Sequence, residues 1–268
     1  LKLLLSLVLM LIAKSLFAVI SRYSVQAEGW QPSYLQMYSI YALTQLAKYI
    51  PGGVWHYVGR FGIYRSRDMS NARAGKAMVL ENMWLVGSAL GVGATLLLVF
   101  KQTILSSILP FQFSQEWWIP AGAAVFLLWF TGMVVVRHFF SSSTQHRFMQ
   151  PLAAAGILAA AWFLVGISFA LLAQPGADID LSLFVGGFSI SWAVGFLTLF
   201  APGGLGIREV LLSMFFASSL PPNLAPVLAG THRLVWVASE ILLGVFFSLP
   251  AVDRHIQHSP LDSEINER

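Results

Sequence analysis

The chain has 268 residues, of which 57% are hydrophobic and only 10% charged, with a formal net charge of +4. Soluble domains average about 25% charged residues, so the composition excludes a soluble globular enzyme and a disordered chain. Cysteine is absent, which excludes disulfides and thiolate metal sites. The long apolar runs predict an all-α polytopic membrane protein. The positive charge does not require nucleic acid, because Lys and Arg collect in the cytoplasmic loops of membrane proteins.

Apolar stretches of about 20 residues predict the helices that cross the membrane. In chain order they cover residues 3–20, 77–100, 117–136, 152–173 and about 226–250. Together with the broken regions described next, they lead us to expect about six membrane-spanning helices. We place them in a single transmembrane domain over residues 1–250, followed by a polar C-terminal tail over residues 251–268.

Two further apolar regions, about 34–63 and about 182–219, are each interrupted by a Pro-Gly-Gly triplet. The triplets are Pro51-Gly52-Gly53 and Pro202-Gly203-Gly204. Proline removes an amide donor and glycine lowers helix propensity, so each triplet should end one half-helix and begin another. Irregular backbone at membrane depth survives only where it is buried in protein or lines a wet cavity. We therefore predict two re-entrant helical hairpins, with a plain helix kink as the alternative.

The distribution of positive charge predicts how the hairpins are oriented. Residues 64–76 include four Lys and Arg residues and belong in the cytoplasm. Three crossings separate the hairpins, so the second hairpin should enter from the side opposite to the first. This topology puts nine Lys and Arg residues in cytoplasmic segments and only Lys2 and Lys101 outside. It also places Leu1 outside, so we expect a further crossing helix upstream.

The two hairpins resemble copies of one unit. Glu81 lies 30 residues after Pro51, and Arg233 lies 31 residues after Pro202, each on the next long helix. In each copy, a hairpin is followed by a helix that carries an ionisable side chain, and the two copies have opposite orientations. This arrangement is typical of inverted-repeat transporters. We therefore predict an inverted repeat.

Ionisable side chains within the apolar segments are the candidate binding residues, because each is costly in a bilayer unless it is paired or hydrated. They are Lys14, Lys48, Arg60, Glu81, Arg208, Glu209, Arg233 and Glu240. Each triplet should also leave unpaired amides at the N-terminus of the next half-helix, where phosphate can bind. Arginine suits phosphate because its planar fork grips two oxygens. The structural alternative is that Glu81 or Glu240 neutralises an arginine and pins two helices together.

The repeat also predicts which of these charges meet. Arg233 and Glu240 are seven residues apart, about two turns along one helix, so they should not pair directly. The helices that follow the two hairpins should lie near each other, so we expect Glu81 to face a central cavity within ion-pair or water-bridged reach of Arg208 or Arg233. No arrangement of histidines or glycines matches a catalytic triad, a metal site or a nucleotide-binding loop. We therefore expect no catalytic residue, no metal and no cofactor.

Two stretches of the sequence carry a resemblance to a known family. They are QLAKYIPGGVW at residues 45–55, reaching Arg60, and APGGLGIRE at residues 201–209. With Glu81 and the helix from Arg233 to Glu240, they resemble the flippase-like transmembrane region of the lysylphosphatidylglycerol synthase family. The resemblance implies re-entrant helices around a lipid-accommodating cavity in a bacterial or archaeal plasma (inner) membrane.

The family also implies a range of substrates. In fused members this region moves aminoacylated phosphatidylglycerol between leaflets, and other relatives are associated with polyprenyl-phosphate glycan assembly. The resemblance brings no synthase activity here, because only a short polar tail follows residue 250 and the synthase domain of the fused members is soluble. Stand-alone members consist of the membrane region only.

These features predict a lipid flippase or transporter that moves an anionic phospholipid, aminoacylated or not, or a polyprenyl-phosphate-linked lipid between leaflets. Without an ATP-binding motif, the movement should be downhill or ion-coupled. Two alternatives stay open. One is an accessory membrane subunit that recruits a lipid- or glycan-synthesis enzyme. The other is a membrane-embedded transferase, which would need a general base and a donor-binding surface, and neither is visible. We do not expect an enzyme, and the oligomeric state stays open.

Overall fold

The protein is helical throughout the part of the chain that its computed structural model describes. That part comprises residues 1–50, 52–108, 114–140, 149–173, 180–198, 204, 206–217, 219–221 and 223–248. It contains α-helices, two short 3₁₀ turns and no strand, which confirms the all-α class. Pro51, Pro202, Gly203 and the tail 251–268 lie outside the described residues.

The helices follow the predicted apolar segments closely. They are α1 (Lys2–Ala27), α2 (Tyr34–Leu46), α3 (Trp55–Ser66), α4 (Asn71–Phe100), α5 (Gln102–Ile108), α6 (Trp118–Phe139), α7 (Met149–Ala170), α8 (Leu181–Leu197), α9 (Ile207–Phe215) and α10 (Leu224–Ser248). By length and composition, four helical segments can cross a membrane, namely α1, α4, α6 with its preceding turn, and α7. Helix α10, with 25 residues, occupies the last predicted span.

Both predicted breaks interrupt a helical region. In the first, α2 gives way to a 3₁₀ turn over Ala47–Tyr49, and α3 begins only at Trp55. Gly52 and Gly53 have φ values of +107° and +66°. In the second, α8 and α9 flank Gly204 and Gly206, whose φ values are +71° and +83°. Because side chains disfavour positive φ, glycine allows the chain to turn at these points. Each region is therefore a helical hairpin rather than a kinked helix.

Contacts at one end of the bundle place the start of the first hairpin there. Arg137 at the end of α6 donates to Gln150 at the start of α7 (3.1 Å), and Gln150 donates to Gln26 at the end of α1 (3.4 Å). The rings of Trp30 and Tyr64, before α2 and near the end of α3, are 5.8 Å apart. The first hairpin therefore enters from the end at which α1 finishes, the end predicted to be cytoplasmic.

Contacts at the other end place the start of the second hairpin on the opposite side. Lys2 at the start of α1 donates to the carbonyl of Ala173, just after α7 (3.1 Å). Lys101, just after α4, forms an ion pair with Asp180, whose side chain caps α8. Three helices of membrane-crossing length separate the hairpins. The two hairpins are thus opposed, as the parity of the crossings predicts.

The packing of the helices is that of a two-fold repeat. Helix α1 packs against α7, and each packs against the first helix of the following hairpin. Helix α4 packs against α8 of the second hairpin, just as α10 packs against α2 of the first. Exchanging α1–α4 with α7–α10 leaves this pattern of contacts unchanged. Together with the opposed hairpins, the pattern agrees with the predicted inverted repeat.

Candidate functional site

A cavity of about 620 Å³ lies between the tips of the two hairpins. The first tip contributes Ile50, Gly52 and Gly53, and the second contributes Gly195 and Gly204. The helices of both hairpins and helices α1, α4 and α10 contribute the remaining walls. The cavity is deep in the bundle, because Lys14, one of the α1 residues that line it, is the thirteenth of 26 in its helix. At 1.5 Å per residue, that position is about 20 Å from either end of the helix.

The structure brings together nearly all the ionisable residues that the sequence singles out. Seven line the cavity: Lys14, Lys48, Arg60, Glu81, Arg208, Glu209 and Arg233. The eighth, Glu240, is buried directly behind the lysines and contacts both of them. The hairpins therefore gather charges that are far apart in the sequence around one polar interior.

Glu240 binds two lysines with a single carboxylate. Its Oε1 accepts hydrogen bonds from Lys14 Nζ (2.5 Å), Lys48 Nζ (2.5 Å) and Trp236 Nε1 (2.8 Å). Its Oε2 accepts a hydrogen bond from the hydroxyl of Tyr49 at 2.6 Å. Lys14 also lies over the ring of Trp236, 3.5 Å from its centroid. The carboxylate thus joins α1, the tip of the first hairpin and α10.

Glu81 pairs within its own unit. Its Oε1 accepts from Arg60 Nη1 at 2.5 Å, and both side chains are 2–3% exposed. Arg60 also donates to the hydroxyl of Thr44 (3.2 and 3.3 Å) and lies over the ring of Tyr41. Glu81 does line the cavity, as predicted, but its direct ion pair is with Arg60 and not with the expected Arg208 or Arg233. A water-bridged contact with either of them stays a prediction. Because α3 packs directly against α4, the nearest cation comes from the same hairpin.

The second hairpin holds a similar pair. Arg233 on α10 donates to Oε1 of Glu209 on α9 at 3.3 Å. The other oxygen of Glu209 accepts from the backbone amide of Gly206, the residue that precedes α9, at 2.8 Å. Glu209 thus caps the amide that precedes α9, whereas Val54, which precedes α3, forms no side-chain cap. Binding of an anion by the first amides of either half-helix stays a prediction.

Arg208 differs from the other four cations because it forms no ion pair with any described residue. Its Nε is buried and has no hydrogen-bond partner in the described part of the chain. The guanidinium lies over the ring of Trp192, 5.8 Å from its centroid. A Cβ at Gly195 would lie 2.7 Å from Arg208 Cγ, and one at Gly204 would lie 3.0 Å from Nε. The two glycines therefore leave the space that this side chain occupies.

The charges around the cavity do not balance. Five cationic side chains face three carboxylates, which leaves a formal excess of two positive charges. The tip residues outside the described part, 51, 199–203 and 205, carry no ionisable side chain that could change this balance. Such a site is complementary to an anion.

The mouth of the cavity is apolar on the side of the first hairpin. Ile50 and Val54 line the cavity and are more than half exposed. Trp55 and Val58 continue this exposed apolar surface along α3. A ligand that enters here therefore passes from an apolar surface into a positively charged interior.

Sequence reasoning missed several side chains of the site. Tyr49 and Trp236 hold Glu240, and Trp192 packs against Arg208. Trp236 lies four residues before Glu240 and so on the same face of α10, a spacing that could have identified it. Nothing in the local sequence distinguishes Trp192 from the other tryptophans.

A buried histidine beside the cavity has a structural environment. His232 Nε2 lies 3.2 Å from the hydroxyl of Ser168, which in turn contacts Ser6 on α1. These residues join α10, α7 and α1 in the core. Within the described residues there is no group of His, Asp and Glu that could hold a metal ion.

No model of a known protein family matches this chain, and a comparison with curated proteins finds none that is similar. The resemblance to the lysylphosphatidylglycerol synthase family thus stays an expectation, carried by the two Pro-Gly-Gly motifs and the residues around them.

Proposed function

We propose that this protein is a flippase-like lipid transporter that moves a lipid with an anionic headgroup between the two leaflets. The observation that carries the proposal is the cavity half-way along the bundle, with its excess of two positive charges and an arginine that lacks a carboxylate partner among the described residues. An uncompensated cation at this depth is costly unless water or an anion meets it. A lipid phosphate would supply that anion.

The apolar mouth favours a lipid over a soluble anion. The side chains of Ile50, Val54 and Val58 are exposed beside a cavity half-way along the bundle, so in a bilayer acyl chains would surround them. A lipid can place its headgroup against the cations of the cavity while its chains remain in contact with this surface. A soluble anion would have to cross the same surface with no compensating contact.

The opposed hairpins suggest how the cavity opens to one leaflet at a time. Because the hairpins enter from opposite ends of the bundle, displacement of one hairpin would expose the bound headgroup to one side only. Rocking of one repeat against the other around a fixed site is the usual means of alternating access. We place the protein in the plasma (inner) membrane of a bacterium or archaeon, as the resemblance implies.

Reconstitution into vesicles tests the proposal directly. Vesicles would contain phosphatidylglycerol or phosphatidic acid with a fluorescent label on an acyl chain, and a membrane-impermeant reductant would bleach the outer leaflet. The wild-type protein should make the inner-leaflet label accessible, and Arg208→Gln should slow this by about tenfold or more, the equivalent of one charge-assisted hydrogen bond. Arg208→Lys should restore part of the rate, because it keeps the charge but loses the fork.

Arg67→Gln is the matched control, because it removes one positive charge from an exposed arginine at the end of α3. It should leave the rate unchanged. A wild-type rate equal to that of protein-free vesicles would overturn the transport proposal and favour an accessory role. A normal rate for Arg208→Gln would show that the lipid does not pass through this cavity.

A further inference from the structure

The excess positive charge of the cavity can be assigned to particular side chains. Two arginines are matched one to one by carboxylates, in the pairs Arg60–Glu81 and Arg233–Glu209. The remaining charges are Lys14, Lys48 and Arg208, which have only Glu240 among them. The excess therefore lies with one of the two lysines and with Arg208.

Of the two lysines, Lys48 is the one that can leave Glu240. The Lys14 side chain is 1% exposed, lies in the middle of α1 and packs on the ring of Trp236. The Lys48 side chain is 21% exposed and belongs to the 3₁₀ turn that leads to the first hairpin tip. If Lys48 turns toward the cavity, Glu240 keeps Lys14 as a one-to-one partner.

Lys48 and Arg208 come from different hairpins and line the same cavity. Two like charges held in a deep cavity repel each other. An anion bound between them would attract both and so offset that repulsion. The anion that balances both cations carries two negative charges.

We propose that the headgroup recognised in this cavity is a phosphomonoester, held between Lys48 of the first hairpin and Arg208 of the second. The inference rests on the proposed function and specifies its substrate class. A phosphomonoester carries about −1.5 to −2 charges at pH 7 and has three acceptor oxygens. It can therefore accept from the fork of Arg208 and from the Lys48 ammonium at the same time.

The charge balance disfavours other common headgroups. A phosphodiester such as that of phosphatidylglycerol carries one negative charge, and it would leave one of the two cations uncompensated. A lysyl-phosphatidylglycerol headgroup adds ammonium groups to a cavity that already has excess positive charge. The aminoacylated substrate that the family resemblance implies is therefore the poorest match of the three.

Native mass spectrometry of the full chain in detergent tests this preference. The protein would be given an equimolar mixture of phosphatidic acid and phosphatidylglycerol with the same acyl chains, and in a second series lysyl-phosphatidylglycerol. The wild-type protein should retain phosphatidic acid over phosphatidylglycerol by about tenfold, because one more charge-assisted contact is worth roughly that factor. Lys48→Gln and Arg208→Gln should each bring the ratio close to one.

Controls remove the same charge elsewhere. Lys76→Gln changes an exposed lysine near the start of α4, and Arg67→Gln changes an exposed arginine after α3. Both should keep the wild-type ratio. Equal retention of the two lipids by the wild-type protein, or an unchanged ratio in Lys48→Gln, would overturn the proposal.

Competition with inorganic phosphate distinguishes a lipid phosphomonoester from free phosphate as the ligand of this cavity. If phosphate at the concentration of the lipid fails to displace phosphatidic acid, the acyl chains take part in binding, as we propose. Full displacement would support recognition of a phosphate dianion but overturn a lipid source.

The binding assay tests the headgroup assignment and the vesicle assay tests transport, so either proposal can be overturned while the other is supported. Selective retention of phosphatidic acid without lipid movement would support the headgroup assignment and overturn transport. Movement of both lipids at equal rates, with equal retention, would support transport and overturn the headgroup assignment.

Discussion

Glu240→Gln should destabilise the fold far more than loss of either lysine that it binds. The change removes the only carboxylate that contacts Lys14 and Lys48 within the described residues. The amide oxygen can still accept from Trp236, and the amide nitrogen can donate to the hydroxyl of Tyr49. Lys14 then remains as a buried ammonium with no counter-charge. The reciprocal change, Lys48→Gln, leaves Glu240 with Lys14 as a one-to-one partner.

The burial of each group sets the size of these effects. Removing one partner of a buried pair costs roughly 3–5 kcal/mol, because it leaves the other charge uncompensated. This range applies to Glu240→Gln, since the Lys14 side chain is 1% exposed. Lys48 is 21% exposed and its loss leaves no isolated charge, so Lys48→Gln should cost about 1 kcal/mol, the worth of one hydrogen bond. The double variant Glu240→Gln/Lys14→Met should recover at least about 2 kcal/mol relative to Glu240→Gln.

Equilibrium unfolding in mixed micelles, followed by circular dichroism as denaturing detergent is added, measures these free energies. The order of stability should be wild type, Lys48→Gln, the double variant and then Glu240→Gln. If Glu240→Gln unfolds at the wild-type midpoint, or the double variant is no more stable than the single one, Lys14 does not depend on this carboxylate and the charge assignment fails.

Three further predictions follow from packing and topology. Gly166→Ala should cost about 1–3 kcal/mol of unfolding free energy, because a Cβ there would lie 2.6 Å from a backbone carbon of α8, whereas Gly156→Ala meets nothing within 4 Å and should cost nothing. Gly195→Ala should slow lipid movement without lowering the unfolding midpoint, since its Cβ would displace the unpaired arginine of the second tip. Single cysteines at Ser66 and Thr103 should react with an impermeant thiol reagent from opposite sides of the membrane, and reaction from one side would refute the opposed hairpins.

The sequence predicted the course of the chain because that course depends on local physics. Apolar length determined the long helices, and the glycines at 52, 53 and 204 marked the breaks, where the structure places them at positive φ. The number of crossings between the hairpins determined that they are opposed. None of these inferences requires knowledge of which side chains touch.

The pairing of charges could not be read in the same way. Whether Glu81 reaches Arg60 or Arg208 depends on the rotation and offset of separate helices, and spacing along the chain does not determine either. The capping of Gly206 by Glu209 was within reach, because a glutamate at the third helical position often binds the preceding amide. The hydroxyl of Tyr49 on Glu240 was not, since it joins residues 191 apart.

The ion pairs of the two repeats distinguish scaffold from site. Arg60–Glu81 joins α3 to α4, and Glu209–Arg233 joins α9 to α10, so the two units use the same connection with the charges exchanged. Each pair holds a half-helix to the long helix that follows it. Both units use this ion pair to hold the hairpin against the long helix of the same unit. Its presence in both units indicates a structural role. This is the structural alternative that the sequence left open for Glu81.

The remaining charges have no counterpart in the other unit, and that is where a binding role belongs. The first tip carries Lys48 on Glu240 of the opposite unit, whereas the second tip carries Arg208 with no carboxylate among the described residues. A symmetric scaffold would have no need to keep an unpaired guanidinium in a deep cavity, since its burial costs free energy without closing either hairpin. An anion bound to this guanidinium would offset the free-energy cost of its burial. The asymmetry of the two tips therefore points to Lys48, Arg208 and Glu240 as the residues that respond to the headgroup, while the symmetric pairs keep the hairpins in place.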